Sequence, residues 1–278
     1  MSSQVSFKKT VSGLKLTNQE FQKVRAMVHK YCGIAINEGK EALVQSRLMK
    51  RVRKTGVRSF GEYFAYLEQD SSGAEFLALI DVITTNKTSF FRESKHFEFI
   101  ENQVLPKMAG RDVKWWSAGC SSGEEPITTA ITLLEGKKQN QWSSVKILAT
   151  DISRDVIKIA KQGIYPETRM GDVPDLIKKN YFNTNGKGEY QISKEIRNMI
   201  TYGRLNLSTD WPMKGPFHVI MCRNVMIYFN RQSQIEIVER FYRLLEPGGY
   251  LFLGHSEGVP KEVNGFKGLA PAVYQKVG

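Results

Sequence analysis

Apolar positions in the first part of the chain recur every three to four residues, which is the period of amphipathic helices. A capping box at Thr17–Glu20 predicts where the first helix begins, and Gly33 is placed to end it. A second capping box, Ser59–Glu62, opens another helix. Two further helical patterns run over about 38–54 and 73–83. No strand pattern interrupts this block, so residues 1–80 are predicted to form an all-α domain.

The pattern changes after Arg111, where short β-rich runs alternate with helical segments. The predicted strands are Val113–Ser117, Val145–Thr150, Phe217–Cys222 and Tyr250–Gly254. Two predicted helices start at Glu124 and Ser153, and a third runs from Arg231 to Leu245. Such alternation is typical of an α/β domain with a largely parallel sheet. We therefore predict a linker and connecting helix over 81–111 and the α/β domain over 112–278.

The alternation fails between Asp172 and Arg197. The segment Asn183–Gly188 is a turn signal, and it is flanked by Tyr181-Phe182 and by Tyr190–Ile192. We predict a small antiparallel β-subdomain at about 172–200, inserted in the α/β domain.

Composition sets limits on the class of protein. Hydrophobic residues make up 41% of the 278 and charged residues 24%, which argues against extended disorder. No apolar run approaches the roughly 18 residues of a membrane span, and lysines interrupt the N-terminal segment that a secretory signal would need. We expect a cytoplasmic monomer that does not insert into a membrane.

The net charge is +12, and the first 80 residues have 13 Lys and Arg against seven Asp and Glu, a net of +6. Such a front suits an acidic partner, either nucleic acid or an acidic protein surface. The three cysteines form no CxxC pair and the four histidines have no metal-ligand spacing. We therefore expect no metal.

The most informative segment is Trp115–Pro126, in which an apolar strand enters a turn with Gly119 and Gly123 and then opens a helix. Glycines at this place let the backbone approach a ligand at the carboxyl edge of the sheet. The spacing is not that of a dinucleotide loop, and an ordinary tight turn is the alternative.

Glu124 and Glu125 sharpen this interpretation. Acids beside a helix N-terminus would repel a pyrophosphate, whereas the ammonium and sulfonium of S-adenosylmethionine would be attracted. The alternative is that both acids only complement the helix dipole.

Polar residues also end two later strands. Asp151 is placed to accept hydrogen bonds from ribose hydroxyls, or alternatively to cap the next helix. Arg223-Asn224 follows the buried run Phe217–Cys222, where nucleobase methyltransferases usually have an Asn/Asp-Pro-Pro-aromatic tetrad. Its absence disfavours a nucleic-acid methyltransferase, which remains the main alternative function.

Several strings in this order resemble the chemotaxis protein methyltransferases, the CheR family: TTNKTSFFRES, SAGCSSGEEP, ATDIS, CRNVMIYF and PGGYLFLGHSE. The resemblance covers nearly the whole chain. It implies a Rossmann-like S-adenosylmethionine methyltransferase sheet behind an all-α domain. It also implies methyl transfer to glutamate side chains of the cytoplasmic helical bundle of chemoreceptors, with S-adenosylhomocysteine as product.

The resemblance further assigns roles to residues. Those expected to contact the cofactor are Asn86, Thr88, Arg92, Glu124, Asp151, Asn206, Leu207, Arg223 and Asn224. Arg92 and Tyr228 are the catalytic candidates beside the transferred methyl group. The basic helix of the first domain is expected to contact the receptor through Arg47, Arg51 and Lys54.

Overall fold

The computed structural model describes residues 13–137 and 142–278. The chain divides into two compact units at Thr85/Asn86, called here the helical unit and the sheet unit. Within the described residues, no helix is long and apolar enough to cross a membrane.

The described residues of the helical unit form four amphipathic helices, as the apolar period predicts. They are α1 (Asn18–Cys32), α2 (Glu41–Thr55), α3 (Phe60–Gln69) and α4 (Ala74–Ile83). The capping box at Thr17–Glu20 is present, and Gly33 ends α1 in the left-handed conformation. Ser59 caps α3 through a hydrogen bond from the Glu62 amide. Apolar side chains such as Val24 and Leu48 are fully buried and form the core of this unit.

One basic residue of α2 lies inside this unit instead of on its surface. The Arg51 guanidinium forms a two-bond ion pair with Glu75, at 2.9 and 2.6 Å, and Tyr63 donates a third hydrogen bond to the same carboxylate at 2.8 Å. Arg51 is 9% exposed and Glu75 is 8% exposed. The expectation that Arg51 belongs to an exposed basic face therefore differs from the structure, because its acidic partner comes from α4 and is not visible in the pattern of α2.

The sheet unit begins with α5 (Lys95–Phe99), which continues through a π turn and a short 3₁₀ turn to Met108. Its main strands and helices follow the predicted alternation. They are β1 (Asp112–Ala118), α6 (Glu124–Lys137), β2 (Ser144–Asp151), α7 (Arg154–Gln162), β3 (Ile164–Pro166), α8 (Asp175–Tyr181), β4 (Phe182–Thr184), β5 (Glu189–Ile192), α9 (Lys194–Met199), β6 (Ile200–Arg204), β7 (Phe217–Cys222), α10 (Arg231–Leu244), β8 (Leu245–Leu253), β9 (Phe266–Ala270) and β10 (Val273–Lys276).

Within that described part, seven strands form one sheet in the order β6-β2-β1-β7-β8-β10-β9. The first five are parallel neighbours, and β10 and β9 add an antiparallel edge. The chain leaves β1 on one side toward β2 and later returns on its other side as β7. This reversal of strand order creates a crevice at the carboxyl ends of β1 and β7, which is where open α/β sheets bind ligands.

Both faces of the sheet are covered by apolar layers. Successive residues of a strand point to opposite faces, so Trp115 lies in one core cluster and Trp116 in the other, both fully buried. The sequence pattern located β1, β2 and β7 because they are buried in this way. It missed β6, β9 and β10, which are short or partly exposed.

The predicted antiparallel excursion is present as a separate three-stranded sheet in the order β3-β5-β4. Strands β4 and β5 lie in the predicted range of about 172–200. The third strand, β3, comes from Ile164–Pro166 and precedes that range. Three residues are too few to show a strand period in the sequence.

Candidate active site

Polar side chains follow four neighbouring parallel strands at one edge of the main sheet. The strand ends are Ala118, Asp151, Arg204 and Cys222, and β1 lies between β2 and β7. The glycine loop follows β1, Asp151 ends β2, Asn206 follows β6, and Arg223-Asn224 follows β7. The fold therefore brings these predicted cofactor residues to the crevice that the strand order creates.

The glycine loop is folded tightly against its neighbours. The amides of Gly119 and Cys120 both donate to the Thr150 carbonyl of β2, at 2.8 and 2.9 Å. Gly123 has a φ of +100°, and a Cβ there would lie 2.8 Å from the Tyr165 hydroxyl oxygen. Glycine is thus required at position 123 for both its backbone angle and its space.

Glu124, the first residue of α6, is fully buried. Its carboxylate accepts a hydrogen bond from Arg169 Nη1 at 2.7 Å and one from the Ser122 hydroxyl at 2.8 Å. Arg169 is itself 45% exposed. A buried acid with a half-exposed cationic partner does more than complement a helix dipole, because a solvated side chain would suffice for that role.

Asp151 fixes the backbone between β2 and the glycine loop. Its carboxylate accepts hydrogen bonds from the amides of Ser121 at 2.9 Å and Ser153 at 3.0 Å. The helix cap of α7 is Ser153, whose hydroxyl accepts from the Val156 amide. Asp151 is therefore not the capping side chain of that helix, and it connects the ends of two neighbouring strands.

Arg223 is a buried cation surrounded by acids. Its guanidinium lies 3.0 Å from Glu93 Oε2 and 3.3 Å from Glu125 Oε2, and it also donates to the Arg92 carbonyl. Its charged group stacks over the Phe97 ring at 5.5 Å. Burial raises the pKa of Glu125, and the charge of Arg223 opposes that rise. Arg223 is therefore part of the packed interior and not of a surface loop.

Glu93 connects the segment after the helical unit to the end of β7. Besides Arg223, its carboxylate accepts from Asn224 Nδ2 at 3.1 Å and from the His255 amide at 3.3 Å. Burial acts to raise the pKa of Glu93, but the hydrogen bond from Asn224 and the charge of Arg223 outweigh it and the pKa is lowered. These contacts fix the backbone beside Arg92.

Backbone strain is concentrated in the same place. Across 13–137 and 142–278, five non-glycine residues have a positive φ, and four of them are Phe91, Glu93, Ser121 and Asn224. Each such residue costs on the order of 1–3 kcal/mol and persists only where surrounding contacts impose it. Such strain is common at functional sites. Here Asn224 is itself a predicted cofactor residue, Phe91 and Glu93 flank Arg92, and Ser121 lies in the glycine loop.

The remaining predicted residues follow β6 or β7 or belong to the segment 86–92 that precedes α5. The Asn86 carbonyl accepts from the Ser121 hydroxyl at 3.0 Å, so the start of the sheet unit packs on the glycine loop. Thr88 and Tyr228 are half-buried. Arg92 Nη1 donates to the Lys87 carbonyl at 2.9 Å. Asn206 and buried Leu207 follow β6, and the Leu205 amide donates to the Asp151 carbonyl at 2.9 Å.

The three residues expected to contact a receptor lie in different environments. Arg51 is buried in its ion pair with Glu75. Arg47 donates to the Ile83 carbonyl and, at 2.9 Å, to the Thr85 hydroxyl. Lys54 is exposed.

Sequence reasoning missed three residues that shape the site. Glu93 is the last residue but one of the TTNKTSFFRES string, where its neighbour Arg92 was predicted to have a role and Glu93 was not. Glu257 lies in the LGHSE string and accepts from the amides of Gly254, Asn224 and Ile227, which fixes the loop after β7. Arg169 pairs with Glu124 from the region of the small sheet, and no local pattern indicates it.

An open, largely parallel sheet whose glycine loop is followed by a buried acid has the architecture of an S-adenosylmethionine-dependent methyltransferase. Two family models match the chain: the CheR methyltransferase SAM-binding domain over residues 86–274, and the CheR methyltransferase all-alpha domain over residues 19–84. The chain belongs to the CheR methyltransferase family.

Curated relatives agree over nearly the whole length. The chain is 38% identical to a chemotaxis protein methyltransferase of Borreliella burgdorferi, covering 95% of this chain and 96% of the relative. It is 39% identical to a probable chemotaxis protein methyltransferase of Rhizobium etli, covering 85% and 91%. The Escherichia coli chemotaxis protein methyltransferase is 35% identical, covering 88% and 86%.

Proposed function

We propose that this chain transfers the methyl group of S-adenosylmethionine to glutamate side chains of chemoreceptor cytoplasmic domains, forming methyl esters. The observation that carries the proposal is a pair of buried carboxylates at the carboxyl edge of the sheet. Glu124 begins the helix after β1, and Asp151 ends the neighbouring strand β2. They suit a cationic cofactor and would repel a phosphate. The relatives named as chemotaxis methyltransferases support the substrate class.

The residues of this chain fit that cofactor as follows. Glu124 offers a buried carboxylate for the ammonium group of the cofactor. In the structure, this carboxylate pairs with Arg169. Asp151 lies at the strand end where ribose hydroxyls are bound in related sheets. S-adenosylmethionine would supply a methyl group on a positively charged sulfur, and the carboxylate oxygen of the substrate would attack the carbon of that methyl group.

The chemistry asks little of the protein in proton transfer. A glutamate carboxylate is already ionised at neutral pH, since its reference pKa is near 4.3. In the transfer a C–O bond forms, the C–S bond breaks and its electron pair stays on sulfur, so no general base is required. The site must align the reacting atoms and strip water from the incoming carboxylate.

Arg92 and Tyr228 are proposed to do this work beside the methyl group. Arg92 can offer a charge-assisted hydrogen bond to the incoming carboxylate, because its Nη1 donates to the Lys87 carbonyl and the guanidinium has further N–H donors. The Glu93 contacts with Arg223 and Asn224 position the backbone next to it. Tyr228 is proposed to shape the methyl pocket.

Receptor docking is proposed for the exposed side of α2. The cations on that side are Lys50, Arg53 and Lys54. Arg51 is left out of this face because its charge is neutralised by Glu75 inside the unit. An acidic helical bundle would be attracted to such a face, and salt should weaken the attraction because the Debye length is about 10 Å at 0.1 M.

A charge-reversal experiment tests this docking face. Changing Lys50, Arg53 and Lys54 to Glu should reduce methylation of a receptor fragment and leave binding of S-adenosylhomocysteine unchanged. The control reverses three exposed lysines of the sheet unit, Lys214, Lys261 and Lys267, for the same change in net charge. Equal loss of methylation in both variants would contradict docking through α2.

The substrate class is tested by incubating the chain with methyl-labelled S-adenosylmethionine and either a receptor cytoplasmic fragment or RNA. Carboxyl methyl esters release methanol under mildly alkaline conditions, whereas methylated nucleobases do not. We expect base-labile label on the receptor fragment only. Stable label on RNA would favour the nucleic-acid alternative and contradict the proposal.

A further inference from the structure

Three potential metal ligands converge next to Arg223 and Asn224 of the candidate active site. They are Glu93, His96 at the start of α5, and His255 in the loop after β8. Glu93 Oε2 lies 3.6 Å from His96 Nδ1 and 4.0 Å from His255 Nε2, and the three ligand atoms all lie within 4.8 Å of one another. The two imidazole rings meet edge-on with centroids 4.8 Å apart.

The protonation of His96 explains why this group attracts a cation. His96 Nε2 lies 3.3 Å from the Pro271 carbonyl oxygen, a contact that requires the proton on Nε2. The ring is buried, which disfavours its charged form. Its Nδ1 atom then presents a lone pair.

That lone pair faces another acceptor. His96 is 2% exposed, and its Nδ1 has no hydrogen-bond partner. The nearest oxygen is that of the Glu93 carboxylate, at 3.6 Å, which offers no proton in its ionised form. An imidazole lone pair and a carboxylate oxygen that face each other repel, and a cation between them would satisfy both.

We propose that Glu93, His96 and His255 form a binding site for a zinc ion. Two imidazoles and one carboxylate are a common zinc ligand set, with a fourth position left for water. Ligand atoms on a tetrahedral zinc lie roughly 3.3 Å apart, so the site needs a small contraction. His255 can supply most of it because its side chain is 44% exposed and lies in a loop.

The surroundings match those of a ligating histidine. Such a histidine usually donates its second ring nitrogen to a carbonyl or carboxylate, which fixes the tautomer, and Pro271 provides that carbonyl here. No local sequence pattern indicates the site, because His96 and His255 belong to distant parts of the chain that only the fold brings together.

The guanidinium of Arg223 acts against a cation at this place, since it lies 3.0 Å from Glu93 Oε2. Its charge is shared with Glu125, which lies 3.3 Å away, so Arg223 only partly offsets the charge of Glu93. A cation is therefore still attracted, although more weakly than at a structural zinc site with thiolate ligands.

Calorimetric titration of Zn²⁺ into the full chain at pH 7, in a buffer that does not chelate metal, tests the proposal. We expect one zinc ion per chain at this site and at least tenfold weaker binding in His255→Ala. That variant should fold normally, because the His255 side chain is half-exposed and the hydrogen bond from its backbone amide to Glu93 remains. The control is His29→Ala, which removes an exposed histidine of the helical unit and should bind zinc like the wild type.

A second measurement examines the buried ligand. Titration with Co²⁺ should give the intense visible bands of tetrahedral coordination, and His96→Phe should abolish them while circular dichroism confirms the fold. The proposal is overturned if the wild type takes up no zinc, if His255→Ala binds as tightly as the wild type, or if His29→Ala loses the same affinity.

Discussion

The buried ion pair of the helical unit gives a quantitative test of the structure. Replacing Arg51 by Met leaves the Glu75 carboxylate buried with one remaining partner, the Tyr63 hydroxyl. Removing one member of a buried pair costs about 3–5 kcal/mol, because an uncompensated charge remains inside. Replacing the whole group by apolar side chains, as in Arg51→Met with Glu75→Leu and Tyr63→Phe, should restore most of that loss.

The two units can be followed separately in one urea titration. All four tryptophans lie between residues 115 and 211, in the sheet unit, so tryptophan fluorescence reports that unit. Far-UV circular dichroism reports the helices of both units. We expect Arg51→Met to lower the midpoint of the dichroism change that belongs to the helical unit. A cost below about 1 kcal/mol for Arg51→Met, or a triple variant no more stable than the single one, would contradict a buried ion pair between Arg51 and Glu75.

Two further predictions concern the sheet unit. Gly123→Ala should lower its free energy of unfolding by about 2–6 kcal/mol, from backbone strain and from the clash with Tyr165, and should weaken cofactor binding. Gly186→Ala is the control, because Gly186 also has a positive φ, +72°, but a Cβ there would meet open space. It should lower the free energy of unfolding by only about 1–2 kcal/mol. An equal loss of stability in the two variants would contradict the clash with Tyr165. Burial lowers the pKa of His218 below its reference value of 6.5, so stability should fall as pH drops through that value. His218→Asn, which cannot titrate, should show a shallower fall in thermal unfolding, and an unchanged pH profile would contradict this assignment.

The sequence predicted the elements whose signals are local. The capping box at Thr17–Glu20 and the buried strand Phe217–Cys222 have the bounds expected, because cap chemistry and a continuous apolar run depend on neighbouring residues. The edge strands β9 and β10 have mixed burial and gave no such signal.

The site was predictable only as far as it follows strand ends. Glycine spacing and Asp151 indicated the cofactor edge, since the end of a parallel strand has a fixed position in the sheet. Contacts between distant segments could not be inferred. Glu75 pairs with Arg51 inside the helical unit, although the two residues lie on different helices. Glu93 likewise contacts Arg223, Asn224 and the two histidines only because the folded chain brings them together.

Affinity for S-adenosylhomocysteine, measured by calorimetry in Glu124→Gln, tests the central assignment most directly. That ligand keeps the ammonium group, and losing a charge-assisted hydrogen bond costs about 1.5–3 kcal/mol, which is a loss of about 10- to 150-fold in affinity. Glu167→Gln, an exposed change in the same turn as Arg169, should bind like the wild type. Wild-type affinity in Glu124→Gln, with the fold intact, would contradict a cofactor pocket built around this carboxylate.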